Sequence, residues 1–132
     1  MTSAYKYPQL YSDCIRFYKH YWQLHNHLPR PFRQSAGVQI LHELTLCLKC
    51  VAAANAAPKD NAPARRNAVE KLDDLRQSLE VVRALLTAAW ELRFISHHSM
   101  AQLGSELDSL GKQATRWRQW FEGTAVGEKA QK

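Results

Sequence analysis

Turn-forming residues are scarce in this chain, which has only five glycines and five prolines among its 132 residues. So few turns predict a small number of long secondary-structure elements. There is no uninterrupted apolar run of about 18 residues, which argues against a membrane-spanning helix. No segment alternates polar and apolar residues with a period of two between turn signals, so we expect no β-sheet. The length is enough for one domain with its own hydrophobic core.

Cysteine is also sparse, with Cys14, Cys47 and Cys50 as the three in the chain. An odd number of cysteines is typical of free thiols in a reducing compartment. The first residues, MTSAYKYPQLYSD, have no charged segment followed by an apolar run, so we expect no secretory signal and a cytoplasmic location. Cys47 and Cys50 form a CxxC inside a predicted helix, and we interpret them as buried small hydrophobes. A zinc site would need two further ligands; His42 and Cys14 are candidates, but nothing in the spacing enforces them.

Apolar residues recur three and four positions apart along most of the chain, which is the period of an α-helix. We predict four helices, over residues 9–28, 33–57, 63–96 and 99–122, and a disordered tail over residues 123–132. Pro29 and Pro31 end the first helix. Pro63 suits the first position of the third helix, and Ser99 with Gln102 three residues later fits a capping box at the start of the fourth.

Short connections between four helices predict an all-α fold, an antiparallel up-down-up-down four-helix bundle over residues 1–122. The first and third turns then lie at one end, and the second turn lies at the other. The second helix is apolar on most sides, although a bundle helix needs only one apolar stripe. We therefore infer an oligomer with this helix near the interface. The alternative is that the aromatic first helix covers it within one subunit.

No catalytic or metal-binding constellation stands out in the sequence. Acid–base chemistry needs titratable groups that converge in one pocket. The carboxylates here mostly have basic neighbours at helical spacing, as in Asp73 and Arg76, which is typical of surface pairs on a helix. We therefore expect no enzymatic activity, no cofactor and no metal site.

Positive charge is in excess, with a formal net charge of +6 and a pI of about 9.4. Residues 1–57 hold six Lys or Arg residues against two acids. An excess of this kind favours a polyanionic partner. Arginine offers a planar fork that suits phosphate, and nearby aromatic side chains can stack on unpaired bases. The alternative is that each arginine belongs to a solvated helix face or complements a helix C-terminus.

Ten basic residues near the predicted turns and on the last two helices are the candidates for nucleic-acid contact. They are Arg30, Arg33, Arg65, Arg66, Arg76, Arg83, Arg93, Lys112, Arg116 and Arg118. His97 and His98, at the third turn, would add positive charge when protonated.

Four segments in order resemble one known family across roughly residues 9–121. The first helix ends in Leu28-Pro29 with arginines nearby, and the second begins GVQILHEL and ends in the alanine-rich VAAANAA. The third contains VVRALLTAAWELRFIS, and the fourth contains LGSELDSLGKQATRW, in which Gly111, Lys112 and Trp117 match the family's ending. The chain resembles the accessory variability protein (Avd) of diversity-generating retroelements, a branch of the bacterial four helix bundle protein family.

The resemblance implies a specific role. Avd proteins are small basic bundles that assemble as ring-like homopentamers and bind the reverse transcriptase and template RNA of the element. The complex makes adenine-mutagenised cDNA that diversifies a target gene, and the accessory protein does no chemistry itself. The resemblance implies nucleic-acid contact at Arg83, Arg93 and Lys112, and more loosely at Arg30 and Arg33.

For the remaining five basic residues, nucleic-acid contact is predicted only from the position of their charges. They are Arg65, Arg66, Arg76, Arg116 and Arg118. The chain also departs from the family pattern at two places. Thr87 stands where members often carry a second arginine, and Thr115-Arg116 replaces the glycine before the final tryptophan.

Two alternatives remain beside this interpretation. One is the bundle protein encoded within ribosomal-RNA intervening sequences, whose second helix usually carries a Ser-Ile-Pro-Ala-Asn-Ile-Ala-Glu-Gly-like stretch where this chain has CLKCVAAANAA. The other is an adaptor that binds only proteins.

Overall fold

The structure, a computed structural model, describes residues 9–131, with side chains as far as Gly123. This part of the chain holds four helices and no strand. They are α1 (Gln9–His25), α2 (Arg30–Ala56), α3 (Ala62–Glu91) and α4 (His97–Gln131). Helix α2 packs against α1 and α3, and α4 packs against α3 and α1. The predicted all-helical fold of four helices is confirmed.

The core follows the three-and-four spacing of apolar residues on every helix. Helix α3 contributes Leu72, Leu75, Leu79, Val82 and Leu86, none of them more than 4% exposed. Burying one such side chain stabilises the fold by about 1.5–3 kcal/mol. Helix α1 supplies two fully buried aromatic side chains, Phe17 and Tyr21, and α4 supplies a third, Phe121.

Contacts between α3 and α4 fix the direction and register of this pair. Arg118 Nε donates to Asp73 Oδ1 at 2.7 Å, and Arg83 forms an ion pair with Asp108. Between the two pairs the chain advances ten residues on α3 and retreats ten on α4. The two helices therefore run in opposite directions.

Helix α1 meets α4 in the same way. Gln113 Nε2 donates to Asp13 Oδ2 at 2.8 Å, and His20 Nδ1 lies 2.9 Å from Glu106 Oε1. Seven residues forward on α1 correspond to seven residues back on α4. Helices α1 and α4 are therefore also antiparallel.

The start of α2 differs from the predicted start at residue 33. Helical backbone begins at Arg30, so Pro31 lies in the first turn, where its missing N–H has no partner to lose. The segment Arg33–Gly37 then adopts a π-helix before the α-helix resumes at Val38. A widened turn of this kind shifts the face that the helix presents to its neighbours.

Gly37, which closes the π-helical segment, lies close against the last turns of α1. A Cβ at Gly37 would lie 2.9 Å from His25 Cε1 and 3.2 Å from the Tyr21 hydroxyl. The Tyr21 hydroxyl lies 3.0 Å from His25 Nδ1 and also donates to the Gly37 carbonyl at 3.5 Å. This polar contact lies in the buried interior, and only a residue without a side chain fits against it.

The ends of the last two helices also differ from their predicted positions. Helix α3 begins at Ala62, and the Asn61 side chain accepts a hydrogen bond from the backbone N–H of Ala64 at 3.0 Å. Helix α3 stops at Glu91 rather than 96. The predicted capping box at Ser99 is wrong, because Ser96 Oγ accepts from the backbone N–H of Ser99 at 3.0 Å.

Helix α4 begins at His97 and continues past its predicted end at 122. Its backbone stays helical as far as Gln131, so Gly123 does not end the helix. A glycine inside a helix costs about 1 kcal/mol relative to alanine, which weakens a helix without forcing it to stop. The disorder expected of residues 123–132 stays a prediction, and Lys132 lies outside the described residues.

Among the described helices, α2 alone has the length and hydropathy of a membrane span, and one third of its apolar window is buried inside the subunit. Core helices of bundles pass the same test. The rest of its apolar surface is partly open, and Val38 is 54% exposed. A groove of about 440 Å³ along α2 and α3 is lined by Leu46, Ala53 and Val81 among other residues.

Two glycine substitutions test the packing of α2. Gly37→Ala is expected to lower the free energy of unfolding by about 1–3 kcal/mol, since the new methyl group overpacks against His25 and Tyr21. Gly111→Ala is the matched control, because a Cβ there meets nothing within 4 Å. It is expected to raise the free energy of unfolding by about 0.5–1 kcal/mol. Urea denaturation followed by circular dichroism measures both, and equal effects would contradict the close approach at Gly37.

His25 gives the fold a specific acid sensitivity. Burial, with a contribution from the positive charge of Arg33, lowers the pKa of His25 below its ordinary value of 6.5. As the pH falls below about 6.5 the unfolded chain takes up this proton first, so the free energy of unfolding falls with the pH. Urea unfolding at several pH values should show a smaller decline in His25→Gln than in the wild type. The same decline in both proteins would rule out His25 as its source.

Candidate nucleic-acid interface

The ten predicted basic residues fall into three separate places on the bundle. Arg30, Arg33 and Arg93 lie at the end formed by the α1–α2 and α3–α4 connections. A second group lies along α3 and α4, and consists of Arg76, Arg83, Lys112, Arg116 and Arg118. Arg65 and Arg66 lie beside the α2–α3 connection at the start of α3.

The first place, which we call the turn end, brings two connections together. The rings of Phe32 and Phe94 meet edge to face, with centroids 5.4 Å apart. Arg30 is exposed, and Arg33 is half-buried beside it. Arg33 Nη1 donates to the carbonyl of Asn26 at 3.2 Å, which satisfies a backbone acceptor just after the end of α1. Arg33 therefore holds the connection together, whereas Arg30 faces solvent.

Arg93 lies in a backbone conformation that favours glycine. Its φ is 64°, the only positive φ of a non-glycine residue in the described part of the chain. The backbone N–H of Phe94 donates to Ala89 O at 2.8 Å, and that of Arg93 donates to Trp90 O at 2.9 Å. This pattern is a Schellman motif, in which glycine usually takes the left-handed position. A residue with a Cβ costs about 1–2 kcal/mol there.

His97 lies beside Arg93 in a cavity of about 750 Å³, whose one acid is Glu91. The Trp90 indole Nε1 donates to His97 Nδ1 at 2.9 Å. An indole N–H can only donate, so Nδ1 is the unprotonated nitrogen of the ring and Nε2 carries the hydrogen. Protonating Nδ1 would break this bond. Positive charge on His97, as suggested from the sequence, therefore competes with a contact of the fold.

The second place is a groove of about 720 Å³ between α3 and α4, which we call the α3–α4 groove. Four of the predicted basic residues line it, namely Arg76, Arg83, Lys112 and Arg116, and Arg118 pairs with Asp73 at its edge. Three acids, Asp73, Glu80 and Asp108, line the same groove. Its charges are therefore more nearly balanced than those of the turn end.

At the third place, one of the two predicted residues is buried and the other is exposed. Arg65 is only 1% exposed, and its Nη1 donates to the Lys59 carbonyl at 2.7 Å. The prediction that Arg65 contacts nucleic acid from the surface is therefore wrong, because its guanidinium is buried and hydrogen-bonded to the backbone of the α2–α3 connection. Arg66 is exposed. Arg65 and Arg66 are consecutive residues of α3, and charge alone does not distinguish the buried one from the exposed one.

Lys59 has a structural role in the same connection. Its Nζ donates to the carbonyls of Asn55 at 3.0 Å and Ala57 at 2.8 Å, and lies 5.5 Å from the centre of the Phe121 ring. Burial lowers the pKa of Lys59. The Lys59 amine therefore satisfies two carbonyls at the C-terminal end of α2, and its contact with Phe121 joins α4 to the α2–α3 connection.

The three cysteines are buried in the bundle. Burial raises the pKa of Cys14 to about 12 and also raises the pKa of Cys47 and of Cys50. A thiol with a raised pKa is a poor nucleophile and a poor metal ligand at neutral pH. In the described part of the chain, no cluster of three or more His, Cys, Asp or Glu side chains is placed to hold a metal ion. These cysteines pack as small apolar residues.

Asp73 and Asp108 are the site residues that sequence reasoning missed. Asp73 was interpreted as a partner of Arg76 on its own helix, and its Oδ1 does lie 3.8 Å from Arg76 Nη1. Its closer partner is Arg118, on α4. Spacing along one helix identifies neighbours within that helix, and a partner on another helix needs the register between the two.

Comparison with known proteins adds no relative, since no family model, no curated protein and no solved structure matches this chain.

Proposed function

We propose that this protein is a non-catalytic, cytoplasmic RNA-binding bundle that serves a reverse transcriptase as its accessory protein in a diversity-generating retroelement. The turn end supplies the RNA-binding surface, and the family resemblance supplies the identity of the enzyme partner. The template RNA and its cDNA are the nucleic acids of such a system. The role is to support mutagenic reverse transcription and retrohoming.

The observation that carries the nucleic-acid part is Arg93. An exposed arginine occupies a left-handed position that glycine would fill with less strain. Strained backbone of this kind is concentrated at functional sites, where the side chain is needed for something other than folding. No described acid lies within ion-pair distance of Arg93, so its guanidinium is open to a phosphate.

Neighbouring charge supports the same surface. Three arginines, Arg30, Arg33 and Arg93, lie at the turn end together with one acid, Glu91. The α3–α4 groove, by contrast, places three acids among its arginines. A phosphate backbone is repelled less at the turn end. Among the ten predicted residues, Arg30 and Arg93 therefore make the strongest contacts in this proposal.

The assembly proposed with this function is a homopentameric ring of up-down-up-down bundles. The antiparallel α1–α4 and α3–α4 pairs support that topology. The open apolar surface of α2, with Val38 more than half exposed, supports an interface between subunits. A ring presents the turn end five times, so a modest charge per subunit becomes a strong field for a polyanion.

The test separates the contribution of Arg93 to binding from its contribution to folding. Arg93→Gly relieves the backbone strain and removes the charge. It is therefore expected to fold at least as stably as the wild type and to bind a fluorescent RNA hairpin about tenfold more weakly at low salt, which is 1.4 kcal/mol. Arg93→Lys keeps the charge and is expected to retain most of the affinity. Fluorescence anisotropy measures the binding, and thermal unfolding measures the stability.

Arg66→Gln is the matched control, because it removes an exposed arginine from the start of α3, at the α2–α3 connection. It is expected to leave RNA affinity nearly unchanged.

Light scattering on each variant should give a mass five times that of the 15.2 kDa subunit. RNA binding by Arg93→Gly as tight as that of the wild type would refute the proposed surface. An adaptor that binds only proteins would then be the better interpretation.

A further inference from the structure

Two ion pairs close the α3–α4 groove at its ends. Arg83 bridges to Asp108 at one end, and Arg118 bridges to Asp73 at the other, with Nε–Oδ1 and Nη2–Oδ2 distances of 2.7 and 3.3 Å. The two bridges are ten residues apart on each helix. At about 1.5 Å per residue the open stretch between them is roughly 15 Å long.

The groove still has an excess of positive charge when the four residues of these two bridges are left out of the count. Between them the groove is lined by Arg76, Lys112 and Arg116 against the single acid Glu80. No described acid lies within ion-pair distance of Lys112 or Arg116, and Arg76 reaches Asp73 only at 3.8 Å. Lys112 and Arg116 are four residues apart, so they lie one above the other on α4. The groove therefore offers a short row of cations.

The floor of the groove is apolar and has a gap at Gly111. Leu79 and Leu107 line it from the two helices, and Thr115 lies one turn beyond Gly111. A Cβ at Gly111 would meet no atom within 4 Å. The register set by the two bridges puts Gly111 opposite Glu80. A partner backbone can therefore approach α4 closely at the middle of the groove.

We propose that the α3–α4 groove binds one acidic amphipathic helix of a partner protein. A stretch of roughly 15 Å accommodates about three turns of helix. A helix lying between two others buries apolar residues on the floor and packs closest where the groove has no side chain. Acidic residues four apart on the partner face Lys112 and Arg116, a third faces Arg76, and a basic residue between them pairs with Glu80.

The lining residues favour a helix over a nucleic acid. No side chain that lines this groove is aromatic, and single-stranded nucleic acid depends on aromatic surfaces for stacking. Glu80 stands in the middle and would repel a phosphate. The guanidinium forks of Arg83 and Arg118 are already occupied by carboxylates. The groove is thus distinct from the turn end, and this inference does not depend on RNA binding.

The test uses a synthetic probe, a fluorescein-labelled helical peptide of about 16 residues with leucine and glutamate on one face. Its control is the same peptide with each glutamate replaced by glutamine. Fluorescence anisotropy is expected to show that the first peptide binds the full-length protein at least tenfold more tightly than the second. Gly111→Leu, which fills the gap, and the charge reversal Lys112→Glu with Arg116→Glu should each weaken binding at least tenfold.

Gly123→Leu is the matched control for Gly111→Leu, since it also adds a leucine to α4 at an open position, but outside the groove. It is expected to bind the peptide as the wild type does. Circular dichroism verifies that each variant is folded, and Arg93→Gly should bind the peptide normally, which separates this inference from the RNA surface. Absence of peptide binding, or equal binding by Gly111→Leu, would overturn the proposal. So would a failure of Gly111→Leu to bind the RNA hairpin, because the groove would then be a nucleic-acid site.

Discussion

The antiparallel register of α3 against α4 is the constraint on which the rest of this structure depends. It pairs Asp73 with Arg118 and Arg83 with Asp108, and leaves the groove open between these two bridges. The Arg118–Asp73 pair is partly exposed, so it contributes only about 0–1 kcal/mol. Each buried leucine on the same two helices contributes more than that. The core therefore sets the stability of the pair, and the ion pairs select among the registers that the core permits.

Periodicity was enough to predict the helices and most of the core. Leu72 and Leu79 on α3, and Leu103 and Leu110 on α4, all lie at predicted apolar positions and are buried. These positions are predictable because burial of one face repeats every three or four residues regardless of what covers it. Cys47 and Cys50 were predicted to pack as small apolar residues, and the structure buries both.

Features that depend on contacts between helices were not predictable from the sequence. Arg65 is buried because a carbonyl of the α2–α3 connection accepts its hydrogen bond, and no local pattern reveals that partner. The π-helical segment before Val38 ends at Gly37, which packs against Tyr21 and His25 of α1, and no local pattern reveals that contact. The left-handed conformation of Arg93 was hidden because a Schellman motif is normally recognised by its glycine. Of the candidate site, the residue types were predictable, and their division into a turn end and a groove was not.

The most direct test of the proposed RNA surface is a salt series of RNA-hairpin binding by the wild type and by the double variant Arg30→Gln with Arg93→Gln. Each phosphate that a cationic side chain neutralises releases counterions, so the logarithm of the affinity falls linearly with the logarithm of the salt concentration. The account predicts a steep slope for the wild type, shallower in the variant by about one unit for each phosphate that the two glutamines no longer neutralise. Identical slopes, or no binding by the wild type at low salt, would contradict it.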